Sequence, residues 1–342
     1  MLLYSLEVTN KRLKVLNYFS CIVGLLVSGT CFLQAEEELT VAFGSCHKGT
    51  KPFPVLDTIV EQKPDIFIWV GDNIYGDSKD VAVLRKKYDR LLNLPSYQKL
   101  ATATTIIGTW DDHDYGKDNA GKEFPAKEAS QKEFLRFLKV PKESLRWQRE
   151  GVYSLFDLGE GAHSIRFILL DTRYHRDELG SDGTILGEEQ WRWLEESLVN
   201  SPASVNVMVS SIQVLPKDHR FEKWDDFPKE RQRLLALLAR PEVPPVVLLS
   251  GDRHLSEISE VKDEVGYPLV EVTSSSLNLP FGGRPAEVNQ YRLGPNFRAA
   301  NWGMLTISWD KENVATVAAT VRDVEGKAQL SHSVRLLRLA KE

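Results

Sequence analysis

Four short apolar runs of this sequence end in residue types that bind metals. Ile66–Val70 opens into Gly71-Asp72-Asn73-Ile74-Tyr75, and Thr105–Trp110 opens into Asp111-Asp112-His113-Asp114. Thr40–Gly44 leads to Ser45-Cys46-His47, and Pro244–Ser250 leads to Gly251-Asp252-Arg253-His254. Thiolate, phenolate and imidazole, from Cys46, Tyr75 and His254, form a donor set that suits a transition metal such as iron. Asp112 and Asp252 offer hard oxygens, which suit calcium, magnesium or manganese. Asp72 suits a carboxylate shared between two ions. A pair of cations bridged in this way polarises a phosphoryl group and activates water against it. A fifth run, His163–Leu170, ends in Asp171-Thr172-Arg173. A guanidinium there can hold phosphate through two parallel hydrogen bonds. His113 completes the set, as a group to meet the developing charge or the leaving oxygen.

Each residue also has a plainer reading. Asp72 and Tyr75 fit a turn with a packed phenol, and Asp111-Asp112-His113 fits a helix cap. Cys46 fits a small buried hydrophobe. With Cys21 and Cys31 confined to the N-terminal segment, it has no partner for an intramolecular disulfide in the rest of the chain. His47 is either a further ligand beside Cys46 or a loop residue. His163, His175, His219 and His332 have no partner at ligand spacing and read as surface or core histidines.

The elements that must position these groups follow from the pattern around them. The runs are short, β-branched or aromatic, and bounded by turn residues, which is the mark of buried parallel strands. In open α/β sheets ligands lie beyond the carboxyl ends of the strands, where these residues fall. Helical spacing separates the runs at 55–62, 79–92, 126–138, 187–198 and 230–238, with a shorter helix starting at Pro95. Residues 152–158 and 163–171 read as an antiparallel pair. From Glu257 onward the chain is β-rich, interrupted by a Gly/Pro/Asn-bearing loop over 274–302. The prediction is one α/β domain of two stacked sheets with flanking helices.

The chain has 342 residues and a net charge of -5, so it carries no basic footprint for nucleic acid, while a small phosphorylated substrate remains admissible. Lys11, Arg12 and Lys14 precede an uncharged run, Val15–Leu33, and Ala35 precedes three glutamates. Residues 1–35 therefore read as a signal peptide cleaved after Ala35, or as an N-terminal anchor retained through residues 15–33. Either way the domain at 36–342 is expected to be exported, to the periplasm or the outside of the cell.

Taken in order, Gly44-Ser-Cys46, Gly71-Asp72-Asn-Ile-Tyr75, Thr109-Trp-Asp-Asp112-His113-Asp, Leu170-Asp-Thr-Arg173, Gly187-Glu-Glu-Gln-Trp-Arg-Trp-Leu and Ser250-Gly-Asp252-Arg-His254 resemble the motif series of the alkaline phosphatase D (PhoD-like) family, among the calcineurin-like metallophosphoesterases. The resemblance implies a four-layer α/β/β/α sandwich of two mixed sheets with a two-metal site at the strand ends, holding ferric iron and calcium. It also implies hydrolysis of phosphate monoesters or diesters. In the wider superfamily the positions of Asp112 and Asp252 hold Asn and His, and a further His is replaced here by Gln213 or a neighbour. Two other readings stay open: a phosphodiesterase or phospholipase acting on lipid or nucleotide diesters, and a secreted phosphate- or metal-binding protein without turnover.

Overall fold

Strand residues in this protein sort by parity into separate cores. Ile66, Ile68 and Val70 face one core while Phe67 and Trp69 face another; Val205, Val207 and Val209 share the first core while Met208 faces a third. Successive side chains of a strand point to opposite faces. A strand apolar at every position must therefore be covered on both sides, and that requirement builds the layers.

The computed structural model describes residues 38–281 and 287–337. Among these the strands are β1 (Leu39–Gly44), β2 (Ile66–Val70), β3 (Thr105–Thr109), β4 (Ser154–Leu158), β5 (Ile165–Leu169), β6 (Val205–Val209), β7 (Val246–Ser250), β8 (Ser256–Val261), β9 (Leu269–Ser274), β10 (Trp302–Trp309), β11 (Ala315–Arg322) and β12 (Ala328–Arg335). The α-helices are α1 (Val55–Gln62), α2 (Val81–Leu92), α3 (Pro95–Ala103), α4 (Asp112–Tyr115), α5 (Lys127–Phe137), α6 (Gly187–Val199) and α7 (Pro228–Leu238).

One sheet runs β12-β11-β10-β1-β2-β3 and the other β4-β5-β6-β7-β9-β8. β1, β2 and β3 are parallel, as are β5, β6, β7 and β9; β10, β11 and β12 pair antiparallel in the first sheet, and β4 and β8 pair antiparallel at the edges of the second. The inner faces of the two sheets meet in the first core. Helices α1, α2, α3 and α5 cover the outer face of the first sheet, and α6 and α7 cover that of the second. The result is a four-layer α/β/β/α sandwich. Every parallel strand delivers its carboxyl end to the same seam between the sheets.

Local chemistry moves two helix starts from their expected places. α2 begins at Val81 rather than 79 because the Asp80 side chain accepts a hydrogen bond from the Ala82 amide at 2.9 Å. α7 begins at Pro228 rather than 230, where a residue without an N–H loses nothing in the first turn. The segment read as signal peptide or anchor lies outside the described residues. Among the described residues no helix is long and apolar enough to cross a membrane.

Candidate metal centre

The turns after β1, β2, β3 and β7 cross one another at the seam. Glycine makes two of the crossings possible. Gly71 has a φ of 100°, and a Cβ there would lie 2.6 Å from Cβ of Asp111; a Cβ on Gly251 would lie 2.6 Å from Oγ of Ser45. Backbone bonds lash the turns together: the His47 amide donates to the Asp72 carbonyl at 2.9 Å, Gly76 to His113 at 2.8 Å and Leu277 to Ser45 at 3.0 Å.

This lashing holds side chains in conformations that cost free energy. Cys46, Asp72, Asp252 and His254 have φ of 59°, 51°, 66° and 54°, all in the left-handed region. Such a residue costs on the order of 1 kcal/mol or more, and it persists only where its surroundings over-determine it. Asp and His tolerate the region better than most, so Cys46 is the costliest of the four. Four such residues in one seam are the mark of a site built for something other than stability.

The side chains converge on Asp72. Its Oδ2 lies 3.5 Å from Cys46 Sγ and accepts from the Tyr75 hydroxyl at 3.1 Å, and that hydroxyl lies 3.3 Å from His254 Nε2. His254 Nδ1 donates to the Leu279 carbonyl at 2.5 Å, which turns Nε2 toward the site. Cys46 Sγ also lies 3.2 Å from Ser275 Oγ. Three overlapping groups, Cys46/Asp72/His254, Asp72/Asp112/His113 and Asp111/Asp112/Asp252, each bring one ligand atom per residue within 4.8 Å of the others. Asp72 belongs to the first and second, and Asp112 to the second and third.

Protein charges alone do not balance this cluster. Burial and the neighbouring Cys46 and Asp112 raise the Asp72 pKa well above the ordinary carboxylate range, and burial with Asp111 and Asp112 pushes Asp252 up to about 8. Burial pushes the Cys46 thiol up to about 12, and burial with the Asp72 charge drives the Tyr75 phenol far above its usual range. Burial also lowers His254, keeping it in the neutral form that binds metals. Asp72 Oδ1 and Asp111 Oδ2 are buried with no hydrogen-bond partner. A buried carboxylate without a partner is expensive, and a bound cation inverts that preference, deprotonating even a coordinating thiol. The residues present therefore fit divalent or trivalent cations, with a sulfur, phenol and imidazole side and an all-oxygen side.

The remaining predicted residues are placed as follows. Asp112 accepts the His113 amide at 2.8 Å and the Asn119 amide at 2.6 Å. Burial works against its charge, but Arg173, His113 and these amides outweigh it and hold its pKa low. His113 Nδ1 lies 2.5 Å from Asp77 Oδ1, and its ring packs 4.1 Å from that of Tyr75. Burial opposes its protonation, yet the Asp77 bond and the Asp72 and Asp112 charges push its pKa up to about 10.

Arg173, expected at the strand end as a phosphate-binding group, is buried beside the acids, with its Nη2 making no hydrogen bond. Its side chain has no solvent exposure: Nε donates to Asp111 at 2.5 Å and Nη1 to Glu222 at 2.7 Å. Gln213 does not replace the missing histidine, because its amide donates to Glu257 and Thr273 and accepts from Arg253. His47 turns from the metal groups into the first sheet's outer core, stacked 4.4 Å from Phe53, with Nδ1 2.9 Å from the Asn73 carbonyl.

Sequence reading passed over Asp111, Glu222, Ser211 and Asp77. Ser211 Oγ donates to Asp111 at 2.6 Å, and Glu222 takes a second arginine, Arg176, at 3.1 Å. Asp111 was within reach of a closer reading, since it stands beside Asp112. Glu222 lies in a polar loop where no spacing marks it.

Two layered mixed sheets with helices on both outer faces define a metallophosphoesterase-like fold, with acids, thiol and imidazole gathered at the parallel strand ends. A family model described as PhoD-like phosphatase matches residues 40–317, and the chain belongs to that family. Alkaline phosphatase D of Bacillus subtilis (strain 168) is 25% identical over 282 residues, covering 66% of this chain and 47% of that protein. The chain thus spans about half the length of this curated relative. Among solved structures, one described as the structure of PhoD superposes with a TM-score of 0.70 at 19% identity, covering 89% of this chain and 72% of its own. A dimetal phosphatase from Danio rerio gives 0.55 at 12% identity, covering 87% and 99%. GAP50, an anchor in the inner membrane complex of Plasmodium, gives 0.57 at 13%, covering 89% and 90%.

Proposed function

We propose that this protein hydrolyses phosphate esters at a two-metal centre in which Asp72 is the shared ligand. The observation that carries the reading is the place of Asp72, within 4.8 Å of Cys46 and His254 on one side and of Asp112 on the other. By donor chemistry, Cys46, Tyr75 and His254 would hold ferric iron with Asp72. Asp112 and Asp252 would hold calcium, or magnesium or manganese, from the other side. Bound there, two cations supply Lewis-acid polarisation of the phosphoryl oxygens and an activated water.

The chain's own residues do the rest. Asp77 holds His113 Nδ1, and Nε2, 3.8 Å from Asp118 Oδ1, carries the proton that would stabilise the developing charge or pass to the leaving oxygen. Arg173 fixes Asp111 through Nε and Glu222 through Nη1, and so acts on substrate through the acids it orients. The substrate is a small phosphorylated molecule. A shared fold does not itself confer turnover; here the complete donor set argues for it. The composition of residues 1–35 supports export, and the intact mass of the purified protein checks it: a chain beginning at Glu36 is expected, and retention of those residues supports an anchor instead.

Release of 4-nitrophenol from its phosphate monoester and from the bis-ester, with and without chelator, tests the activity. Asp72→Asn is expected to abolish turnover and to lose at least one metal. Full activity and full metal content in that variant would remove Asp72 from the centre and this mechanism with it.

A further inference from the structure

Two arginines on one short turn have no acid to pair with. The turn is a single 3-10 turn, Leu145–Trp147, and the Gln148 and Arg149 amides close it by donating to the Leu145 carbonyl at 2.9 and 3.1 Å. Residues three apart on such a turn are neighbours, which brings Arg146 and Arg149 together. The Gln131 side chain of α5 fixes both, donating to the Arg146 carbonyl at 2.9 Å and to the Arg149 carbonyl at 2.8 Å. Arg146 Nη2 donates to the Val152 carbonyl at 2.9 Å, and the Arg149 guanidinium lies 3.6 Å over the Tyr153 ring and 5.7 Å from that of Trp193. Nε of each arginine is buried and bonded to nothing. Among the described residues neither forms an ion pair. By contrast Arg166, Arg173, Arg176 and Arg253 are buried and each meets a carboxylate, and buried Arg231 meets two carbonyls. Asp171, and for Arg149 also Glu189, act on the pair only at a distance; burial and the Arg149 charge push the Arg146 pKa down to about 9.

Like charges held side by side and largely withdrawn from water are unfavourable unless an anion joins them. We propose that Arg146 and Arg149 form an anion site outside the metal centre, and that it takes the tetrahedral oxyanion of a phosphate group on their terminal nitrogens. Arg146 keeps Nη1 for a ligand and Arg149 keeps both Nη atoms, since none of these is enclosed or bonded within the protein. Planar guanidinium forks match phosphate oxygens through paired hydrogen bonds. A phosphate dianion offsets both charges, whereas a carboxylate offsets one. Tyr153 holds the Arg149 fork flat beneath it, so little side-chain freedom is left to lose on binding. The site does not depend on turnover at the metals, because none of its residues is a proposed metal ligand. Asp171 stands between it and the centre, accepting the Val152 amide on Oδ2 at 2.8 Å and the Arg173 amide on Oδ1 at 2.9 Å.

Calorimetric titration of the metal-loaded protein with inorganic phosphate reads the site as one equivalent of binding that needs the pair. Arg146→Gln and Arg149→Gln are each expected to lose that equivalent or weaken it at least about tenfold, the scale of one charge-assisted hydrogen bond, with metal content unchanged by elemental analysis. Arg149 is the less enclosed of the two, so its variant decides the matter if Arg146→Gln fails to fold. Acetate at equal concentration is expected to leave the equivalent in place. Titration with methylphosphonate separates the sources of the phosphate group: binding at the pair assigns the site to the phosphate end of a larger molecule, and binding of inorganic phosphate alone assigns it to the free anion. An unchanged phosphate isotherm in Arg149→Gln, or equal competition by acetate, would overturn the site. Loss of the equivalent in the variants of a protein that hydrolyses no ester would leave the site standing and overturn only the hydrolytic reading.

Discussion

Arg173→Ala separates two roles for the one arginine that the sequence places at the centre. If it bound phosphate directly, its loss would weaken catalysis and spare stability. The structure instead buries it completely between Asp111 and Glu222. Removing one partner of a buried ion pair typically costs about 3 to 5 kcal/mol, because the other charge stays behind uncompensated. Here Glu222 keeps Arg176 at 3.1 Å and Asp111 keeps the Ser211 hydroxyl at 2.6 Å, which puts the expected loss near the lower end, about 3 kcal/mol. A domain of about 300 residues has an unfolding entropy of roughly 0.6 kcal/mol/K, so the melting temperature should fall by about 5 °C. Scanning calorimetry of the metal-loaded variant measures this. Adding Glu222→Gln should recover part of the loss, since it removes one stranded charge. An unchanged melting temperature, with kcat/KM reduced and metals retained, would refute the positioning role and restore direct phosphate binding.

Tyr75→Phe and Cys46→Ser test the iron side. With phenolate on ferric iron the purified protein should be coloured; Tyr75→Phe should bleach it, and both variants should lower iron content, whereas Asp112→Ala should mainly lower the second metal. A colourless wild-type protein fully active with magnesium or zinc alone would sink the iron assignment. His219 gives a pH prediction away from the metal centre: it is buried, and burial, then Arg253 and Lys223, push its pKa down to about 3 against a backbone bond to Phe221. Its unfolded imidazole gains a proton near 6.5, so the unfolded state binds more protons between about 3 and 6.5, and stability rises with pH across that window and levels above it. Acidifying from pH 7.5 to 5 should cost about 2 kcal/mol through this residue. His219→Phe should remove that share in urea unfolding at the two pH values; an identical pH dependence in the variant would show that His219 does not carry it.

The order of strands and helices was legible because its causes are local. Short apolar runs such as β2, buried at every position, and the helical spacing between the runs act within a few residues, and they predict the layers without reference to anything distant. Strand ends at a common seam follow from parallel pairing, so Cys46, Asp72, Tyr75, Asp112, His113, Asp252 and His254 could be grouped from sequence alone. Side-chain direction within the seam could not, because it is settled by turns that approach from remote parts of the chain. Asp111 and Asp112 are chemically the same. What distinguishes them is that Arg173 and Ser211 reach the first, while the His113 and Asn119 amides hold the second. The pairing of Arg173 is likewise invisible in sequence, because Glu222, 49 positions away, takes Nη1 and Asp111 takes Nε, leaving Nη2 without a hydrogen bond. Gln213 and His47 were left undecided for the same reason, until Arg253, Glu257 and Phe53 arrived from other elements to pair or pack with them. Residue type determined which chemistry was available here, and tertiary packing decided which groups converge in the seam and which hold those groups in place.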